Sequence, residues 1–252
     1  MLTRLFRGRR PPAPDPAPDY VDVAHAGSVF RVRVVRRAGV KRFTLRVSLA
    51  TGTATMTMPA RSDIAAARRF LDAHGDWLAQ RMQSVPGRVP FEPGALIPLR
   101  DVPHRIVHWS GLRGQASATV DAAGAPIISV TGEAPHVARR VRDFLQAEAR
   151  RDLSQAVARY TRALGVPARS ITLRDTKSRW GSCSAQGRLN FSWRLILAPP
   201  LVLDYLAAHE VAHLRELNHS DRFWALTHEL CPATPQAEAW LKRHGSLLHR
   251  YG

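Results

Sequence analysis

Apolar and polar positions alternate in short runs over residues 21–58, in FRVRVVRR, FTLRVSL and TATMTMP, with Ala38-Gly39 and Thr51-Gly52 as breaks. A period of two marks half-buried strands, and turn residues between them predict a meander of antiparallel strands. The period then changes. Ile64, Ala67, Phe70, Leu71, Trp77, Leu78 and Met82 are spaced for one helical face behind a Ser62 or Asp63 cap, with Gly75 as a weak point. Strand-like runs return over 88–131 in ALIPL, HRIVHW and PIISV. From Glu133 onward Val137, Val141, Phe144, Leu145, Leu153, Val157 and Tyr160 predict one long amphipathic helix stopped by Gly165.

Beyond that helix, ITLRDTKS and RLNFSWRLILA read as strands on either side of SRWGSCSAQGR. Pro199-Pro200 opens a helix bearing Leu201, Val202, Tyr205, Leu206 and Ala212. Ser220 or Asp221 caps a short helix, and 235–248 forms a last one. No internal repeat is legible. The expected fold is α+β, a strand-rich N-terminal half followed by a helical half. Its expected divisions are a proline-rich, charged and disordered arm over 1–19, a strand-rich region over 20–132 and a second region over 133–252.

The chemistry lies in the Pro200 helix, in His209-Glu210-Val211-Ala212-His213 and, six residues on, His219. Residues four apart on a helix share a face, so two imidazoles there can converge on one ion. Zinc is the expected ion, since catalytic zinc takes three protein ligands and keeps an open position. His219 is the expected third ligand, with a left-handed Asn218 turning the chain back toward the ion. Glu216, His228 and Glu229 are the competing third donors. Glu210 is then placed to take a proton from a metal-activated water.

Composition frames this site. The chain has 252 residues, 45% of them hydrophobic, enough for an ordinary core. No apolar run is long enough for a bilayer and the start lacks a secretory core, so a cytoplasmic enzyme without a membrane partner is expected. Cys183 and Cys231 are then reduced, with Cys183 a small buried hydrophobe. The net charge of +17 comes from 37 basic residues, of which only Lys41, Lys177 and Lys242 are lysine. An arginine excess of this kind reflects composition bias as readily as function, so nucleic acid is the less favoured partner, with weak DNA binding and little stimulation of activity expected.

The segments TKSRWGSCS over 176–184, GRLNFSWRLILAPP and YLAAHEVAHLRELNHSDRFW resemble the YgjP-like zinc metallopeptidases, relatives of the SprT-type and Wss-type proteases. The resemblance covers about the last hundred residues. It implies a zincin-like second half hydrolysing peptide bonds in protein or peptide substrates, with His209, His213 and His219 on zinc and Glu210 as general base. The kinship with SprT-type and Wss-type proteases also suggests substrates associated with DNA. Trp180, Gly181 and Ser182 have two readings. A strand with a glycine lets an extended peptide pair with its edge, which makes them substrate-binding. Alternatively, Trp180 anchors the core and Asn190 fastens the loop. The competing class is a non-catalytic module in which zinc staples helices together for binding protein or nucleic acid, marked by a fourth protein ligand. Oligomeric state has no signature in the sequence.

Overall fold

The computed structural model describes residues 20–111 and 114–252, and the arm expected over 1–19 lies outside them. The chain divides into two compact units between Val85 and Pro86. The boundary expected at 132/133 falls inside the second unit, between a strand and the turn that precedes its long helix.

In the first unit, β1 (Tyr20–His25) and β2 (Ser28–Arg37) form a hairpin closed by Ala26 and Gly27, both at positive φ. The two-residue turn with two left-handed positions matches the right-handed twist of the strands it joins. β3 (Thr44–Ser48) and β4 (Thr53–Pro59) follow, in the order β1-β2-β4-β3. The expected antiparallel meander is therefore only partly realised, because β2 and β4 run parallel and β3 takes the edge. Burial explains the exchange: Ala54, Met56 and Met58 of β4 are fully enclosed, whereas Leu45 and Val47 of β3 are only half-buried. The most apolar strand gains most from a central place.

The helix expected after residue 62 forms in two pieces, α1 (Ile64–Ala73) and α2 (Gly75–Gln83), broken at His74 just before the glycine. Asp63 caps α1 by accepting from the Ala66 amide. Ala67, Leu71 and Leu78 cover one face of the sheet and close a small core with Val21, Val23, Val32, Val34 and Met56.

The second unit opens with β5 (Leu96–Leu99), β6 (Val102–Trp109), β7 (Ala116–Val120) and β8 (Pro126–Thr131), ordered β5-β6-β8-β7. Outer pairs are antiparallel and the central pair parallel, the same arrangement as in the first unit. Again the fourth strand, rich in buried Ile127, Ile128 and Val130, is central and the exposed third strand lies outside it. The topology thus repeats where the sequence shows no repeat, because what recurs is the ranking of strands by apolarity rather than residue identity. The following helix, α3 (Val137–Leu164), is 28 residues long and ends at left-handed Gly165.

After α3 comes a three-stranded sheet, β9 (Ser170–Arg174), β10 (Gly181–Cys183) and β11 (Arg188–Ser192), in the order β10-β11-β9. The strand expected to run on through 193–197 instead winds into a 3₁₀ turn, and all five of its residues are buried. Three helices complete the unit: α4 (Pro200–Ala212), α5 (Asp221–Leu230) and α6 (Thr234–His244). α4 is buried on nearly every side, through Val202, Leu203, Tyr205, Leu206, Ala208 and Val211, so the core encloses it rather than seating one face.

Arg194 fastens the turn that leads into α4. Its guanidinium donates to Asp175 at 2.6 and 3.1 Å and to the carbonyls of Leu248 and Tyr251 at 3.2 and 2.6 Å, and its charge lies 4.6 Å from the Trp193 ring. Burial alone raises the Asp175 pKa, but the hydrogen bonds and charge of Arg194 outweigh it and hold the carboxyl below its usual range. A depressed carboxyl pKa stabilises the fold above the unfolded value, near 4, and that stability is lost as pH falls through the folded value. Asp175→Asn is therefore expected to destabilise the chain at pH 7 by about 1 kcal/mol or less, because water screens a carboxylate whose side chain keeps 49% of its surface, with the gap to wild type narrowing below about pH 4. Thermal melts at both pH values check this, and a constant gap contradicts the ion-pair account.

Candidate metal centre

α4 presents His209, with its ring partly covered, and buried Glu210, then ends so that His213 stands as its C-terminal cap. Reversal of the chain follows without the left-handed Asn218 that the sequence predicts. No residue from 213 to 219 has positive φ. Instead the helix tightens, as Leu214 and Arg215 amides donate to the carbonyls three residues back at 2.9 and 3.0 Å, and the turn spreads over several residues. His219 returns to the first two imidazoles, and Ser220 then caps α5 by accepting from the Phe223 amide.

The three imidazoles each place a nitrogen within 4.8 Å of the other two. Nε2 of His219 lies 3.2 Å from Nε2 of His209. Tetrahedral zinc with bonds of about 2.0–2.1 Å needs nitrogens about 3.3 Å apart, the spacing of the His209 and His219 pair, and His213 lies close enough to complete a group able to hold a metal ion. Among the described residues, Glu216, His228 and Glu229 do not join the group. Glu216 serves it differently, through its backbone.

Each buried ring is aimed by its other nitrogen. His213 Nδ1 lies 2.9 Å from the Glu216 carbonyl, so it carries the proton and leaves Nε2 as a lone-pair donor. His209 Nδ1 lies 3.3 Å from the Tyr205 hydroxyl, which itself donates to Glu238 at 2.8 Å. Phe223, fully buried, stacks on His213 at 4.3 Å and meets His209 and His219 edge-on at 4.9 and 4.8 Å. Trp224 lies 5.9 and 5.8 Å from the rings of His209 and His219. Of these supports only Tyr205 carries a signal in the sequence, lying one helical turn before His209.

Burial, and after it the neighbouring imidazoles, push the His209 pKa down to about 4. His213 is lowered chiefly by burial as well. Both rings are thus neutral near pH 7, the form in which imidazole binds a metal. Burial pushes the Glu210 carboxyl up to about 8 against the opposing charge of Arg179. Its Oε2 is enclosed without a hydrogen-bond partner among the described residues. An orphaned buried carboxylate oxygen is costly and marks where a polar guest belongs.

Gly181 and Ser182 lie on β10, at the sheet edge, paired with Phe191 and Asn190. A Cβ on Gly181 would stand 2.8 Å from both Cγ and Cδ of Glu210. The missing side chain at Gly181 leaves room for this carboxyl group. Asn190 fastens the strand by donating to Ser182 Oγ at 3.3 Å, and Thr176 donates to the Arg179 carbonyl at 2.7 Å to close the preceding loop. The Trp180 ring stacks on His249 at 5.0 Å and packs against Gly245. Cys183 is half-buried, its thiol raised to about 11 by burial and then by Glu210, and both cysteines are free.

Among curated protein sequences no relative matches the chain. A solved structure, the metallopeptidase zymogen of Pyrococcus abyssi abylysin, is similar at 20% identity over 39% of this chain and 97% of that one, with a TM-score of 0.34. Residues 41–244, reaching from before β3 to the end of α6, match the family described as YgjP-like, metallopeptidase domain. The chain belongs to the YgjP-like metallopeptidase family.

Proposed function

We propose that this metallopeptidase uses zinc, held by His209, His213 and His219, and that Glu210 is its general base. The observation carrying this reading is the convergence of three imidazoles beside a buried carboxyl group with one unpartnered oxygen. Zinc bound there would supply Lewis acidity, polarising a peptide carbonyl and making water easier to deprotonate.

The chain's own groups do the rest. In its ionised form, which a cation held by the three imidazoles would favour over the neutral acid, Glu210 accepts the proton of the attacking water and returns it to the leaving amine, the two transfers that peptide hydrolysis requires. Tyr205 and Glu238 hold the His209 ring, and the Glu216 carbonyl holds that of His213, so neither rotates away during turnover. The free edge of β10 receives an extended substrate by backbone pairing, with Gly181 and Ser182 as its contact. Trp180 contributes through its backbone, because its ring is committed to His249. His219 is the exposed member of the three, which supports an approach of the polypeptide from its side.

Glu210→Gln is expected to keep its zinc and its melting temperature while losing peptidase activity on an unfolded protein by 10²-fold or more, on the order of what general-base loss costs. Metal analysis, melts and turnover on the same preparations check this. Activity equal to wild type, with contaminating proteases excluded, contradicts the assignment.

Gly181→Ala is expected to displace the carboxylate rather than the metal, since the added methyl meets Cγ and Cδ of a side chain with no free space. A misplacement of about 1 Å costs roughly 10²-fold in rate, so kcat falls on that scale while zinc content stays. In a Glu210→Ala background the same methyl enters vacated space, and Gly181→Ala then costs neither rate nor melting temperature. Equal losses in both backgrounds would show that the glycine acts elsewhere.

A further inference from the structure

The basic surplus is densest in the first unit. Residues 20–85 hold eleven Lys and Arg against four Asp, and so seven of the seventeen surplus charges. The strands of this unit supply Arg31, Arg33, Arg36, Arg37 and Arg46, whereas β5–β8 of the second unit, with the same topology, supply only Arg105. Composition bias loads equivalent sheets alike. It does not account for this difference.

The register aligns the charges. With α1 and α2 on one face of the sheet, the opposite face carries the row Tyr20, Arg33, Thr55 and Arg46 across all four strands. At about 4.8 Å per strand this row spans about 14 Å. Beside it stand Arg31 and Thr53, and Thr44 and Thr57 continue the hydroxyls. Arg31, Arg33 and Arg46 are exposed, and Tyr20 retains 49% of its surface. Asp22 is the acid of this face, 3.4 Å from Arg31, and among the described residues Arg33 and Arg46 enter no ion pair.

We propose that this open face of the β1–β4 sheet binds single-stranded nucleic acid. Guanidinium forks recognise phosphate oxygens in two-pronged fashion, and threonine hydroxyls donate to the same oxygens. Tyr20 offers a ring on which a base can stack, with Arg31 5.3 Å from its centroid. A flat four-stranded face does not enter a duplex groove as a helix or ribbon does, but a single strand with splayed bases lies along it. An acidic peptide can also meet an arginine cluster, but its backbone offers no succession of rings to stack on Tyr20 as the bases of a single strand do.

The test is fluorescence anisotropy of the full chain with a labelled oligothymidylate of about a dozen nucleotides across a salt series. Log affinity is expected to fall linearly with log salt, and Arg33→Gln/Arg46→Gln to reduce that slope by about 1.4, near 0.7 per lost phosphate, and to weaken binding roughly tenfold or more. Arg68→Gln/Arg69→Gln on the exposed side of α1 removes equal charge from the opposite side of the same unit and is expected to leave affinity within about twofold. Tyr20→Ala is expected to weaken binding without changing the slope. All three are surface changes, and melts coincident with wild type accompany the measurement. Equal losses for the two arginine pairs, or loss from neither, overturn the proposal. Competition by polyglutamate as effective per charge as by the oligonucleotide overturns it in favour of an acidic polypeptide.

Discussion

The buried course of α4 constrains everything around the metal centre. A helix enclosed by apolar neighbours cannot leave polar side chains to water, so each one it carries needs a partner in the fold. His213 meets this with the Glu216 carbonyl just beyond the helix end, and His209 with Tyr205 one turn earlier, anchored in turn to Glu238 of α6. Glu210 meets it only in part. The same enclosure that keeps both imidazoles neutral and aimed leaves one carboxylate oxygen without a partner, and that imbalance is what a reaction centre needs: donors fixed before substrate arrives and one acceptor held in reserve.

The surrounding elements serve this geometry. Arg194 ties the turn ahead of α4 to the carbonyls of Leu248 and Tyr251 and to Asp175, fixing where the helix begins. α5 returns Phe223 and Trp224 to the imidazoles, so the His209 and His213 rings rest on aromatic faces while His219 stays exposed. β10 passes close enough to confine the Glu210 carboxylate only because residue 181 has no side chain. A sheet edge, a helix end and one glycine therefore define the site together.

Much of this was legible in the sequence. The helical spacing of His209 and His213 and the return of His219 follow from chain geometry, and the long α3 with its glycine stop follows from periodicity and backbone sterics. What periodicity could not convey was competition between elements. The alternating runs of 21–58 identify strands but not which of them wins the sheet centre, so the parallel pairing of β2 with β4 and the repeat of that arrangement in the second unit emerged only in three dimensions. Reversal before His219 was expected of a single left-handed Asn218, yet a tightened helix end achieves it with ordinary backbone. Glu238 is unreadable as a support because its partner lies 33 positions away. Likewise, a net charge of +17 carries no information about which face the arginines share.

Zinc K-edge X-ray absorption on the zinc-loaded chain, with metal content measured in His219→Ala and Glu216→Ala, tests the donor set directly. The account predicts one zinc per chain with three imidazole nitrogens at about 2.0–2.1 Å and no sulfur, metal lost from His219→Ala and retained by Glu216→Ala. A sulfur shell implicating Cys183, a two-imidazole spectrum, or full metal content in His219→Ala alongside loss in Glu216→Ala contradicts it.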